Sequence, residues 1–185
     1  ASGRWGGAGR GCFLVAYVIT FVLFVISLAI EGSVFTLAGP DGVHPDLLLV
    51  VVVALAVLAG MRKGAVIGLC AGLLQDIIFG APLGFFAAVK LPAGALAGLI
   101  AEDIYKDFTL APMLLVALFT LGGDLFTYFL AKLFDVSTVL SLKEYLQHCI
   151  GPRLMMHFFL MGLIYPFLYR AHKRKLLFEE SYPEE

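Results

Sequence analysis

Charge is scarce in this chain. Lys and Arg number 13 and Asp and Glu 14, together 15% of 185 residues, against 61% hydrophobic residues. Mean hydropathy is +0.94. Soluble domains carry about 25% charged residues, so this composition excludes an ordinary globular core and points to a polytopic membrane protein. The charges nearly cancel, to a net −1, which excludes the basic footprint of a nucleic-acid binder. Cysteine is sparse too: Cys12, Cys70 and Cys149 form an odd set without CxxC spacing, so neither a metal centre nor a redox pair is expected. In or beside apolar runs, a free thiol behaves as a small hydrophobe. The sequence has no HExxH, no Walker loop, no Gly-rich dinucleotide loop and no Ser–His–Asp set at plausible depth. Asp76 and Asp124 raise the possibility of an intramembrane aspartyl protease or a proton relay. Their surroundings, Leu74-Gln75-Asp76-Ile77 and Gly123-Asp124-Leu125, do not resemble the protease motifs. No enzyme, cofactor or metal is expected.

What is present is a series of apolar runs. Six spans are predicted, at 12–30, 47–59, 65–79, 85–100, 110–133 and 154–169, in a single polytopic domain over 1–185. The first run is too long for a signal-peptide core, and Glu31-Gly32-Ser33 is a poor cleavage site. The chain opens on Ala1, which implies processing or shortening at its start. Pro92 predicts a kink in span four near Ala88. With both termini cytoplasmic, nine cations (Arg4, Arg10, Arg62, Lys63, Lys106, Arg170, Lys173, Arg174, Lys175) lie inside and three (Lys132, Lys143, Arg153) outside. That bias follows the positive-inside rule. Residues 31–46 then form an outer loop, 134–151 include a short interfacial helix opened by Ser141-Leu142-Lys143-Glu144, and 102–107 form an inner loop.

Two patterns inside the spans carry information. Gly64, Gly68 and Gly72 recur every fourth residue and lead to Asp76; Gly94, Gly98 and Glu102 echo the spacing. On helices these are smooth stripes for close helix packing, although glycine is common in membrane helices generally. A rise of about 1.5 Å per residue puts Asp76, Lys90, Asp124, Arg153 and His157 in one leaflet, the outer one. An unpaired charge at that depth costs at least about 3 kcal/mol, so pairing is expected, with Lys90 bonded to Asp76 or Asp124. Asp76 and Arg153 also fit helix-end charges reaching headgroups, Lys90 fits a snorkelling side chain, and His157 fits a hydrogen-bonded packing residue better than a ligand.

Several segments together resemble the MreD family of rod shape-determining proteins: Pro45-Asp46-Leu47-Leu48-Leu49, Gly60-Met61-Arg62-Lys63-Gly64, Gly72-Leu73-Leu74-Gln75-Asp76, Leu83-Gly84, Asp124 and Pro152. The resemblance implies an all-α integral membrane protein of the bacterial inner membrane, with six transmembrane helices and a fold similar to the substrate-binding subunits of ECF-type transporters. It implies a non-enzymatic scaffold of the cell-elongation machinery that binds the single-span protein MreC and helps regulate peptidoglycan synthesis by RodA and its transpeptidase partner. A cavity between helices would hold membrane lipid or a partner segment, with the polar cluster at its outer mouth. The alternative is the substrate-binding subunit of a vitamin-type transporter; the few, mixed charges present no obvious ligand for it.

Overall fold

The structure, a computed structural model, describes residues 8–38, 44–80, 82–101, 108–133, 150–174 and 177. Among these residues there are six helices and no strand: α1 (Ala8–Ala38), α2 (Leu47–Ala59), α3 (Met61–Phe79), α4 (Phe85–Ile100), α5 (Leu110–Leu133) and α6 (Gly151–Lys173). The expected inner loop at 102–107 with Glu102, the interfacial helix within 134–149, the side chain of Cys12 and Cys149 all lie outside the described residues.

Helix α2 is the axis of the bundle. It packs against α1, α3, α4, α5 and α6, and Leu47 through Leu58 are all buried. Its sequence, Leu-Leu-Leu-Val-Val-Val-Val-Ala-Leu-Ala-Val-Leu-Ala, is rich in β-branched residues that favour strands in water. Surrounded by apolar side chains, the backbone satisfies itself best as a helix, and a helix apolar all round belongs at the centre. Gly60, at φ 83°, ends α2 and opens α3.

The outer helices bury one face each. On α1 that face is Ala16, Thr20, Phe24, Ser27, Leu28 and Glu31; on α6 it is His157, Met161, Tyr165, Leu168 and His172. Both follow the three- and four-residue steps of a helical stripe. The opposite faces expose Tyr17, Phe21 and Val25 on α1, Leu114, Leu118 and Phe129 on α5, and Phe159, Leu163 and Phe167 on α6. An exterior as apolar as the core, with polar groups such as Lys90, Asp124 and His157 buried inside, is the reverse of the polar surface of a soluble bundle. Three segments, Val15–Val34, Leu110–Phe129 and Gly151–Lys173, are long and apolar enough to cross a membrane, whereas α2 and α4 are shorter apolar helices.

One expectation needs correction. The first helix does not stop at residue 30, and Glu31 does not begin a loop. Helix α1 runs on to Ala38, because Gly32 and Ser33 weaken a helix without breaking it and Ser33 Oγ donates back to the Ala29 carbonyl at 2.8 Å. Pro92 lies inside α4, which is continuous from Phe85 to Ile100; a proline there leaves the Ala88 carbonyl without its usual amide donor.

Candidate functional site

The polar groups converge at the end of the bundle where α2 begins, and all six helices contribute. Asp46, behind Pro45, caps α2, its Oδ1 accepting the Leu49 N–H at 2.8 Å. Its Oδ2 receives Lys90 Nζ from α4 at 2.5 Å. The Lys90 side chain has no exposed surface, while that of Asp46 is 24% exposed. The Phe86 ring, one turn before Lys90, lies 5.2 Å from the ammonium and adds a cation–π contact. Burial pushes the Asp46 carboxyl up, but the charge and hydrogen bond of Lys90 outweigh it and hold the carboxyl below the ordinary range.

Here the structure overturns the expected pairing, since Lys90 bonds neither Asp76 nor Asp124. Asp76 lies in the last turn of α3, just before the chain reverses through Gly80 and Gly84. The donors nearest to it are the free N–H groups that open α4: Oδ2 accepts from Gly84 N and Oδ1 from Phe86 N, each at 2.8 Å. A carboxylate there also complements the positive end of the α4 dipole. Asp124 on α5 is taken by Arg153 on α6, whose Nη1 lies 2.5 Å from Oδ1. Arg153 Nε donates to the His44 carbonyl at 2.9 Å, tying α6 to the segment leading into α2.

His157, fully buried on α6, accepts the Asp46 backbone N–H at Nε2, 2.7 Å away. Its Nδ1 is 2.7 Å from Thr120 Oγ1 on α5. Thr120 commits its only proton to the Val116 carbonyl at 2.7 Å, so the ring donates from Nδ1 and accepts at Nε2. Both neighbours therefore require the same tautomer. His157 acts as a packing hub, joining α2, α5 and α6.

The glycine stripes bring Lys90 to this layer. A Cβ on Gly68 would overlap the Lys90 carbonyl, one on Gly72 would overlap the Ala87 backbone, and one on Gly64 would lie 2.5 Å from the Gly94 carbonyl oxygen. A Cβ on Gly94 would overlap the Gly64 carbonyl, and one on Gly98 would lie 2.5 Å from the Gly60 carbonyl carbon. Helices α3 and α4 thus meet backbone to backbone along most of their length, which a side chain at any of these five positions would prevent.

The sequence reading left out four members of the layer: Glu31, Asp46, Gln75 and Thr120. Glu31 and Gln75 are buried, and Gln75 Nε2 donates to Glu31 Oε1 at 2.8 Å. The available signal was the shortness of α2. Its 13 residues rise only about 20 Å, against a hydrocarbon core of about 30 Å, so an end of this helix must lie below the membrane surface. No group of three or more metal-ligating side chains occurs among the described residues.

No curated protein and no solved structure matches the chain significantly. The sequence profile described as MreD, rod shape-determining protein MreD, matches residues 12–174. That match takes in every helix core and every member of the polar layer. The chain is a membrane protein of the MreD family, whose role is the determination of rod shape.

Proposed function

We propose that the chain is a non-enzymatic scaffold of the bacterial cell-elongation machinery, a single domain over 1–185 that crosses the inner membrane six times with both termini in the cytoplasm. Its fold on this reading is that of the ECF-transporter substrate-binding subunits. The partner is an MreC-type single-span protein, and through it the scaffold regulates peptidoglycan synthesis by RodA and its transpeptidase. The observation that carries this reading is the family match over residues 12–174. The chemistry of the site agrees with it. Three of its carboxylates, Asp46, Asp76 and Asp124, are engaged in two helix caps and two ion pairs, which suits a rigid platform better than turnover. The orientation rests on the excess of Lys and Arg in the segments assigned to the cytoplasm, and it places the polar layer in the extracytoplasmic leaflet.

The test is affinity capture of the full chain from its own host in mild detergent. The scaffold predicts co-purification of a single-span protein with a periplasmic coiled coil, and loss of rod shape when the gene is depleted. A co-purified vitamin with accompanying uptake, and no such partner, would contradict it.

A further inference from the structure

We infer that Glu31 holds a proton and forms a cyclic acid–amide pair with Gln75, a proton-dependent tether between α1 and α3. Gln75 Nε2 already donates to Glu31 Oε1 at 2.8 Å. The other two polar atoms of these groups, Glu31 Oε2 and Gln75 Oε1, are buried and without a hydrogen-bond partner. As a carboxylate and an amide carbonyl both are acceptors, and two acceptors cannot satisfy each other. One proton on Glu31 Oε2 makes it the donor that Gln75 Oε1 lacks. The pair then closes with two hydrogen bonds, and reversing the amide preserves the complementarity.

The local charge count leads to the same state. Asp46 at the cap of α2 and Lys90 on α4 are the charged groups acting on Glu31, the Leu48 backbone N–H of α2 also reaches it, and α3 offers the neutral Gln75. Lys90 is already bonded to Asp46. A single ammonium cannot neutralise two carboxylates in a water-poor layer, and a buried carboxylate left over takes up a proton instead. Gln75 is 2% exposed and Glu31 9%, so the missing donor must be one small enough to need no opening.

The consequence falls on α1, whose main helix neighbour is α2 and which this side-chain hydrogen bond ties to α3. Loss of the proton turns one side of the pair into two facing acceptors and loosens α1 from α3. The attachment of α1 is therefore set by pH at the end of the bundle where α2 begins.

Infrared spectroscopy of the full chain in lipid vesicles, recorded over a pH series, decides the question. At neutral pH the wild type should show the carbonyl stretch of a buried protonated carboxylic acid. Glu31→Gln should remove that band, and Gln75→Met should shift it to higher frequency by removing the hydrogen-bonded partner. Hydrogen–deuterium exchange over 15–34, expressed as protection relative to the base-catalysed intrinsic rate at each pH, should lose protection at high pH in the wild type and keep it in Glu31→Gln. A wild type without the band at neutral pH, or a band untouched by both substitutions, would overturn the assignment. If Glu31→Gln does not fold, the Gln75→Met shift decides alone.

Discussion

Lys90 on α4 and Asp46 at the cap of α2 form an ion pair of 2.5 Å in which the lysine has no exposed surface. The pair joins the chemistry of the layer to its architecture. Asp46 begins the central helix, and Lys90 reaches it only because Gly68 lets the α4 backbone lie directly on α3. It also has a pH signature. The Asp46 carboxyl is held below its ordinary value in the folded chain, so its stabilisation is complete above the unfolded value and is lost as pH falls through the lower folded one. Acid denaturation followed by circular dichroism in detergent should show this component, and Asp46→Asn should lack it.

The close approach of α3 and α4 makes a graded prediction. Gly68→Ala places a methyl group against backbone that cannot retreat, and should cost about 1–3 kcal/mol or prevent assembly. Gly122→Ala on α5 is the control, because nothing lies within 4 Å of its added Cβ. It should be neutral or slightly stabilising through helix propensity. Thermal unfolding of the two variants side by side distinguishes crowding from a general intolerance of glycine replacement.

Asp76 should behave as a cap and not as an ion-pair partner. Asp76→Ala deprives Gly84 N and Phe86 N of their acceptors, at about 1–3 kcal/mol for each buried donor left unmade. Asp76→Asn keeps one acceptor oxygen and should recover part of the loss. Amide exchange at the start of α4 is the local readout, and it should rise in the alanine variant before global unfolding does.

His157 works through its tautomer. His157→Phe keeps an aromatic ring but leaves the Asp46 N–H without an acceptor, and should cost about 1–3 kcal/mol. Nitrogen chemical shifts of the ring should report a neutral imidazole protonated at Nδ1. A proton on Nε2 would contradict the assignment made through Thr120.

The helices and the glycine stripes were legible in the sequence because both follow from periodicity. The five charged or titratable residues singled out there do fall into one layer, since depth along a helix is simple arithmetic. Their partners were not legible. Pairing depends on which faces meet across the bundle, and the sequence alone puts Glu31 and Asp46 in an outer loop. A 13-residue axis and an α1 that continues through Gly32 put both inside. Gln75 and Thr120 carry no charge, and only tertiary contact shows what they join.

A double-mutant cycle on the ion pair at the head of α2 tests the account most directly. Lys90→Met strands the Asp46 carboxylate, and Asp46→Asn strands the Lys90 ammonium. Each alone should cost about 3–5 kcal/mol, and the two combined should cost clearly less than their sum. Costs that simply add, measured by unfolding in detergent or vesicles, would show that this pair does not hold the layer together.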